Sequence, residues 1–361
     1  MADKQPQYIK GTGWRYETEH SMHRRMTEHD YHTRSIYMIT MSVEGRRQLL
    51  GELKWAAADA SDAHIAPSPL GLEVERCWMS IRDFYPEAEP LKIQLMPDHI
   101  HALLFVQREM TAHLGKILNG FKVGCNRAYR RLVECQELVE CQKGVACREA
   151  MPHETKRPKH PKQGMLFETG YQDSVLTGKG QLEHMFQYMA DNPRRLAIKR
   201  LMPDLFRVVG NINFADKTFA AIGNRWLLDR PIRMQVRCHN NTSPANLHLI
   251  ENQKRYFLER GRKGGVVVSP CISAGEKEIA HAALDAGVPL IVILENGFPP
   301  MYKPPGKYFE ACAKGLLLML APWPYHMERR KISRWQCFEL NAMAQSISTE
   351  PWTQELEAGM S

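Results

Sequence analysis

Two stretches of this chain carry residues whose types and spacing suit chemistry. The first is Leu95-Met96-Pro97-Asp98-His99-Ile100-His101-Ala102-Leu103-Leu104-Phe105-Val106, where two imidazoles one residue apart sit among β-formers. On a strand successive side chains alternate between faces, so His99 and His101 share one face and Ile100 takes the other. Two imidazoles converging on one point can hold two corners of a metal site, although paired histidines on a strand are also found as structural residues. The second stretch places Tyr188 four residues before Asn192, hence one helical turn away on the same face. A phenol and an amide could face one site together. Alternatively, Tyr188 packs in a core and Asn192 caps the helix before Pro193, which limits how far a regular helix can continue.

Basic residues lie beside both stretches. Lys116, Lys122, Arg127, Arg130 and Arg131 follow the histidines in a helical segment, and Arg194, Arg195, Lys199 and Arg200 follow the tyrosine. The formal net charge is +8 and the sequence pI about 9.0. That balance favours a polyanionic partner, so the two clusters read either as a phosphate-binding track or as solvated helix faces. A third candidate is Ser269-Pro270-Cys271-Ile272-Ser273-Ala274-Gly275-Glu276, at a strand end leading into a helix N-terminus. Its backbone amides could receive an anion, or it is a plain strand-to-helix turn in which Glu276 and Glu278 complement the dipole. Cys135, Cys141, Cys147, His153 and His160 fit no usual zinc spacing, so 134–163 reads as an exposed insertion.

The elements that must position these residues follow from apolar periodicity. Ser35–Met41 reads as a strand, Leu72–Ile81 as a helix, Leu91–Leu95 and the histidine stretch as two strands or one bent strand, and Leu114–Leu132 as a helix. Gly170–Leu176 reads as a strand and Gln181–Lys199 as a helix. This order predicts an α+β sandwich. From Ile232 onward short, largely apolar strands (Gly265–Ser269, Pro289–Leu294, Leu316–Leu320) alternate with helices, which predicts an α/β domain on a parallel sheet. At 361 residues two domains are expected, at 1–205 and 232–361, joined by a linker at 206–231. The apolar fraction of 43% and charged fraction of 24% are those of a soluble protein, and no apolar run is long enough to span a membrane. With no visible signal peptide and nine cysteines at no framework spacing, a cytoplasmic protein with reduced thiols is expected.

With these residues in view, 31–199 resembles the single-tyrosine HUH transposases, in particular the REP-associated tyrosine transposases related to small insertion-sequence transposases. Met96-Pro97-Asp98-His99-Ile100-His101 resembles that family's Met-Pro-Asn-His-hydrophobic-His signature, with Asp98 in place of asparagine. Gln187-Tyr188-Met189-Ala190-Asp191-Asn192-Pro193 resembles its Tyr-x-x-x-Asn-Pro segment. Pro69-Leu70-Gly71 with Glu75 and Cys77-Trp78 resembles the helix before the motif strand, and Leu114-Gly115-Lys116-Ile117 with Phe121-Lys122 the helix after it.

The resemblance implies a ferredoxin-like sheet with helices, His99, His101 and Asn192 as ligands of Mg²⁺ or Mn²⁺, and Tyr188 as nucleophile. It implies single-stranded or hairpin DNA as partner, bound by Lys116, Lys122, Arg127, Arg130, Arg131, Arg194 and Arg195, and a possible homodimer. The C-terminal half resembles, more loosely, the Rossmann-like DNA-processing protein A and lysine-decarboxylase-like families through Val266–Ser269 and Ser273–Ala280, without their glycine-rich first loop. The expected activity is a metal-dependent endonuclease and strand transferase that forms a 5′-phosphotyrosine linkage. The alternatives are a domesticated, non-catalytic DNA-binding protein and a nucleotide-binding enzyme acting through the C-terminal domain.

Overall fold

The computed structural model describes residues 7–9, 13–15, 26, 29–142, 165–238, 244–299, 302–328 and 330–353, with the backbone alone at 7–9, 13–15, 133–142 and 244–246. The chain divides into two compact units, Met1–Ala197 and Ile198–Ser361. The first has α+β and the second α/β architecture.

The first unit runs β1 (Ser35–Ser42), β2 (Gly51–Lys54), β3 (His64–Pro67), α1 (Pro69–Met79), β4 (Ala88–Leu95), β5 (His99–Val106), α2 (Leu114–Gln142), β6 (Gln172–Leu176) and α3 (Gln181–Leu201). Its main sheet has the order β4-β5-β1-β6 with every neighbour antiparallel, the ferredoxin-like arrangement. The bent-strand alternative is resolved in favour of a hairpin: β4 and β5 pair antiparallel through Met96-Pro97-Asp98, closed by the Met96 N–H on the His99 carbonyl at 2.8 Å. Helix α1 starts at Ser68, whose hydroxyl accepts the Gly71 N–H at 3.0 Å, with Pro69 in the first turn, where its missing N–H costs nothing. A Cβ at Gly71 would collide with the Leu50 carbonyl, so this position admits only glycine.

Helices α1 and α2 cover one face of the sheet. Tyr37, Ile39, Met41, Ile100, Ala102 and Leu104 form a core there with Trp78 and Phe121, whose rings meet edge to face at 5.3 Å. On the other face Met38 and Leu103 pack under Met189 of α3, with Leu182, Met185 and Phe186 around them. Helix α3 continues eight residues past Pro193, close to the extent expected from the sequence, Gln181–Lys199. The ring removes one donor and crowds the carbonyl one turn back, but Ala197 and Ile198 beyond it are buried, and that packing retains the helix.

The second unit runs β7 (Val209–Phe214), β8 (Lys217–Gly223), β9 (Arg233–Gln235), α4 (Pro244–Arg262), β10 (Val266–Ser269), α5 (Ala274–Asp285), β11 (Leu290–Ile293), α6 (Gly306–Ala313), β12 (Leu317–Ala321) and α7 (Arg334–Ile347). Strands β9 to β12 are parallel and in sequence order, and β8 then β7 add antiparallel beyond β12. The linker expected at 206–231 is therefore corrected: it contributes two strands to this sheet. Every residue of β10, β11 and β12 is buried, as strands covered on both faces must be.

Of the two readings of the end of β10, an anion site or a plain strand-to-helix turn, the structure favours the turn. The Glu276 carboxylate, 3% exposed, accepts the N–H groups of Ile272 at 2.7 Å and Ser273 at 3.3 Å, while the Ser273 hydroxyl accepts that of Glu276. The amides that would have met a phosphate thus hold the chain's own carboxylate in a capping box. Burial pushes the pKa of Glu276 up against the pull of these hydrogen bonds.

Lys122 is likewise used inside the fold. It is 7% exposed, and its ammonium donates to the carbonyls of Glu168, at 2.8 Å, and Gly170, tying α2 to the approach to β6. Its assignment to a DNA-binding track is corrected, because a buried ammonium engaged by two carbonyls is not presented to phosphate. Lys122→Met is expected to cost roughly 2 kcal/mol in urea denaturation, since two carbonyls lose a charged donor. Affinity for single-stranded DNA, read by fluorescence anisotropy, should stay within about twofold of wild type if Lys122 makes no phosphate contact, each of which contributes a salt-dependent share of affinity. A loss of DNA affinity at unchanged stability would restore Lys122 to that track.

Candidate functional site

The site is built on the α3 face of the first sheet. Along β5 this face carries His99, His101 and Leu103, and opposite them on β1 stand Ser42, Thr40 and Met38. One end of the face is therefore polar and the other apolar. The apolar end seats α3 through Met189, which is fully buried and contributes roughly 1.5–3 kcal/mol of burial free energy. With Met189 fixed, its neighbour Tyr188 lies beside the histidines.

The rings show this directly. Those of His99 and His101 lie edge to face with centroids 4.9 Å apart, and the Tyr188 ring lies 5.6 Å from that of His101 at an interplanar angle of 67°. Three residues separated by as many as 89 positions thus share one surface. His99 is part-buried and His101 is 7% exposed. Tyr188 is half-buried and packs against the Met38–Leu103–Met189 cluster.

Each histidine is held through its Nδ1. That of His99 meets Asp98 Oδ1 at 2.6 Å, and that of His101 meets the Thr40 hydroxyl at 2.9 Å. Hydrogen bonding of one ring nitrogen fixes the ring's orientation, and at His99 the carboxylate makes Nδ1 the donor, so that in the neutral ring the lone pair falls on Nε2. Burial tends to raise the Asp98 pKa, but the His99 hydrogen bond and charge and the nearby Arg46, 3.4 Å away, outweigh it and hold the carboxyl below its ordinary value. Thr40 and Arg46 carried no signal in the sequence. Only the cross-strand register, Thr40 opposite His101, reveals Thr40 as a partner.

Asn192 lies one turn beyond Tyr188 within α3 and is 5% exposed. Because the helix runs through Pro193, the helix-capping alternative for Asn192 is ruled out. Its buried Nδ2 has no hydrogen-bond partner among the described residues. A buried amide N–H left unpaired is costly unless an acceptor completes it. Among the described residues no three of His, Cys, Asp and Glu come together as a metal cluster, so a third ligand drawn from those residues would be of another type. An amide oxygen is one such donor.

The basic residues do not gather here. Lys116, Arg127, Arg130 and Arg131 are exposed on α2, which packs on the opposite face of the sheet, and Arg131 is ion-paired with Glu73 at 3.0 Å. The sheet thus stands between them and the histidines. Arg194 and Arg195 share a helix with Tyr188. The first bonds Asp191 at 2.6 Å and the second approaches it at 3.8 Å, so one carboxylate offsets part of their charge. The cysteine and histidine positions Cys147, His153 and His160 lie outside the described residues, and the side chains of Cys135 and Cys141 are not described.

No family model matches the chain, and no curated protein matches it. Solved structures overlap it in part. A REP-associated tyrosine transposase bound to a REP hairpin covers 47% of this chain and 72% of its own at 11% identity and a TM-score of 0.29. DNA processing protein A from Helicobacter pylori, described by its single-stranded DNA binding mode, covers 39% of this chain and 65% of its own at 15% identity and a TM-score of 0.30. DNA processing protein A from Streptococcus pneumoniae covers 45% of this chain and 59% of its own at 14% identity and a TM-score of 0.30. At such scores the functional reading rests on the geometry of His99, His101 and Tyr188.

The holding contacts have a measurable consequence. Thr40→Val and Asp98→Asn each loosen one imidazole without removing it, and partners of this kind are worth roughly 10–100-fold in metal affinity. If the two imidazoles hold Mn²⁺, its binding, measured calorimetrically, should weaken at least about tenfold in each variant with the circular dichroism spectrum unchanged. Unaltered affinity in both would show that these contacts serve the fold alone.

Proposed function

We propose that the first unit is a divalent-metal-dependent endonuclease and strand transferase for single-stranded or hairpin DNA, with Tyr188 as nucleophile. The observation that carries this reading is the meeting of Tyr188 with His99 and His101 on one sheet face. The donor set that fits the group is the pair of oriented imidazoles; Asn192 would add only its amide oxygen, because its unpartnered Nδ2 is a donor that calls for an acceptor such as a phosphate oxygen. His99, His101 and Asn192 would hold Mg²⁺ or Mn²⁺, which when bound would polarise the scissile phosphate and neutralise developing charge.

The chain's own residues do the rest. The Tyr188 oxygen gives up its proton and attacks phosphorus, the bond from phosphorus to the 3′ oxygen breaks, and that oxygen takes up one proton and leaves as a free 3′-hydroxyl, so that protons balance. The phosphate stays joined to Tyr188 as a 5′-phosphotyrosine. One phosphodiester is exchanged for another, so a 3′-hydroxyl can reverse the step and the same site rejoins strands. Packing of the Met189 turn on the sheet holds the phenol beside His101 and lowers the entropic cost of reaching the phosphate. Because Tyr188 lies beside His101 of its own chain, we assign the reaction to a single chain, with no second copy required. Of the basic residues, Arg194 and Arg195 share the tyrosine helix and would be the ones to meet the strand.

The assignment is tested with a 3′-labelled hairpin-flanked oligonucleotide and Mn²⁺, followed by denaturing electrophoresis. Wild type should give an SDS-stable labelled adduct, Tyr188→Phe none, and His99→Ala or His101→Ala at least about a hundredfold less, a loss typical of a disrupted catalytic centre. EDTA should abolish the adduct. No adduct in wild type, or one that persists in Tyr188→Phe, would sink the assignment and favour a DNA-binding protein without turnover.

A further inference from the structure

Helix α7 of the second unit has an arrangement that folding alone does not explain. Its buried residues, Leu340, Met343, Ala344 and Ile347, all lie in its last eight positions, packed on Val266, Val268, Ile291 and Leu318. Its N-terminal half turns large aromatic rings outward: Trp335 is 61% and Phe338 58% exposed. A surface helix ordinarily puts polar residues on that side. Trp335 and Phe338 are three apart and so are neighbours along the helix surface. Trp323, on the loop after β12, extends the row, its ring centroid 6.0 Å from that of Trp335.

Positive charge is set among these rings. The Arg334 guanidinium lies over the Phe338 ring at 5.6 Å, and Lys331 is exposed just before the helix. Neither Arg334 nor Lys331 is ion-paired among the described residues. The loop that carries Trp323 is fixed in place. Asn296, from the loop after β11, accepts the His326 N–H and donates to its carbonyl, each at 3.0 Å, and Gly297 packs so closely on Trp323, Pro324 and Tyr325 that a Cβ would collide with their backbone. The platform thus exists before any ligand arrives, which lowers the ordering cost of binding.

We propose that Trp323, Trp335 and Phe338, with Arg334 and Lys331, form a stacking platform for unpaired bases of single-stranded DNA on the second unit. The choice of DNA rests on the function proposed for the first unit. Aromatic faces stack on any unpaired base, and cations beside them meet the phosphates between successive bases. A lipid surface is the less fitting occupant, because it calls for a broad apolar face and the patch offers one exposed aliphatic side chain, Met327.

The test uses the full chain in EDTA, so that no covalent capture occurs, with fluorescein-labelled oligothymidylate and a matched duplex read by anisotropy. Trp335→Ala/Phe338→Ala should weaken oligothymidylate binding at least tenfold and leave duplex binding unchanged. Its melting temperature should match wild type, because both rings point outward. Lys331→Ala/Arg334→Ala should flatten the salt dependence of binding by roughly one unit of log–log slope. An iododeoxyuridine oligonucleotide should photocrosslink to the peptide carrying Trp335. Equal affinity in wild type and the aromatic variant would overturn the proposal. So would crosslinks confined to 1–197, or loss of binding to phosphatidylserine vesicles in place of oligothymidylate. Adduct formation at Tyr188 with Mn²⁺ and saturating DNA is a separate readout: the aromatic variant should form it at the wild-type level, and its absence from wild type would sink strand transfer while leaving the platform standing.

Discussion

The alternation of side chains along β5 is the constraint on which the first unit depends. Ile100, Ala102 and Leu104 must face α1 and α2 to build the core, and that obligation sends His99, His101 and Leu103 to the other face. A slip of one residue would bury both imidazoles under Trp78 and Phe121 and expose the core residues. The register that stabilises the fold is therefore the register that presents the histidines, and the two cannot be altered independently.

The second face needs a cover, and α3 supplies it. An antiparallel sheet can leave one face to water, but Met38 and Leu103 make part of this face apolar, and Met189 packs on them. The polar end beside it, with Thr40 opposite His101, remains for chemistry. One face thus divides its work between holding a helix and holding a site. Pro193 sits inside that helix without ending it, which keeps Asn192 and both arginines in continuous helical register with Tyr188.

In the second unit the corresponding constraint is burial of the parallel strands on both faces. It leaves little polar surface at the strand ends, and the most inviting of those ends, before α5, is closed by the buried Glu276 carboxylate. What the unit presents outward instead is the aromatic row on α7 and its preceding loop. A helix that completes a core with its C-terminal part has an N-terminal part free to carry another surface.

The sequence by itself determined the pairing of His99 with His101 on one face, because strand periodicity is a local property of the backbone. It also determined most of the elements, and the turn separation of Tyr188 and Asn192. It did not reveal β7 and β8: their turn, Ala215-Asp216, has positive φ at both residues without the asparagine or glycine that usually marks it. Nor did it separate Lys122, buried on two carbonyls, from the exposed basic residues around it, since charge does not encode exposure. Tertiary structure alone decided that Tyr188 lies beside His101, that α2 and its basic residues stand behind the sheet, and that Thr40 steadies an imidazole. Each of these is a contact between segments distant in the chain, fixed by which apolar faces must cover one another, and local periodicity carries no record of that choice.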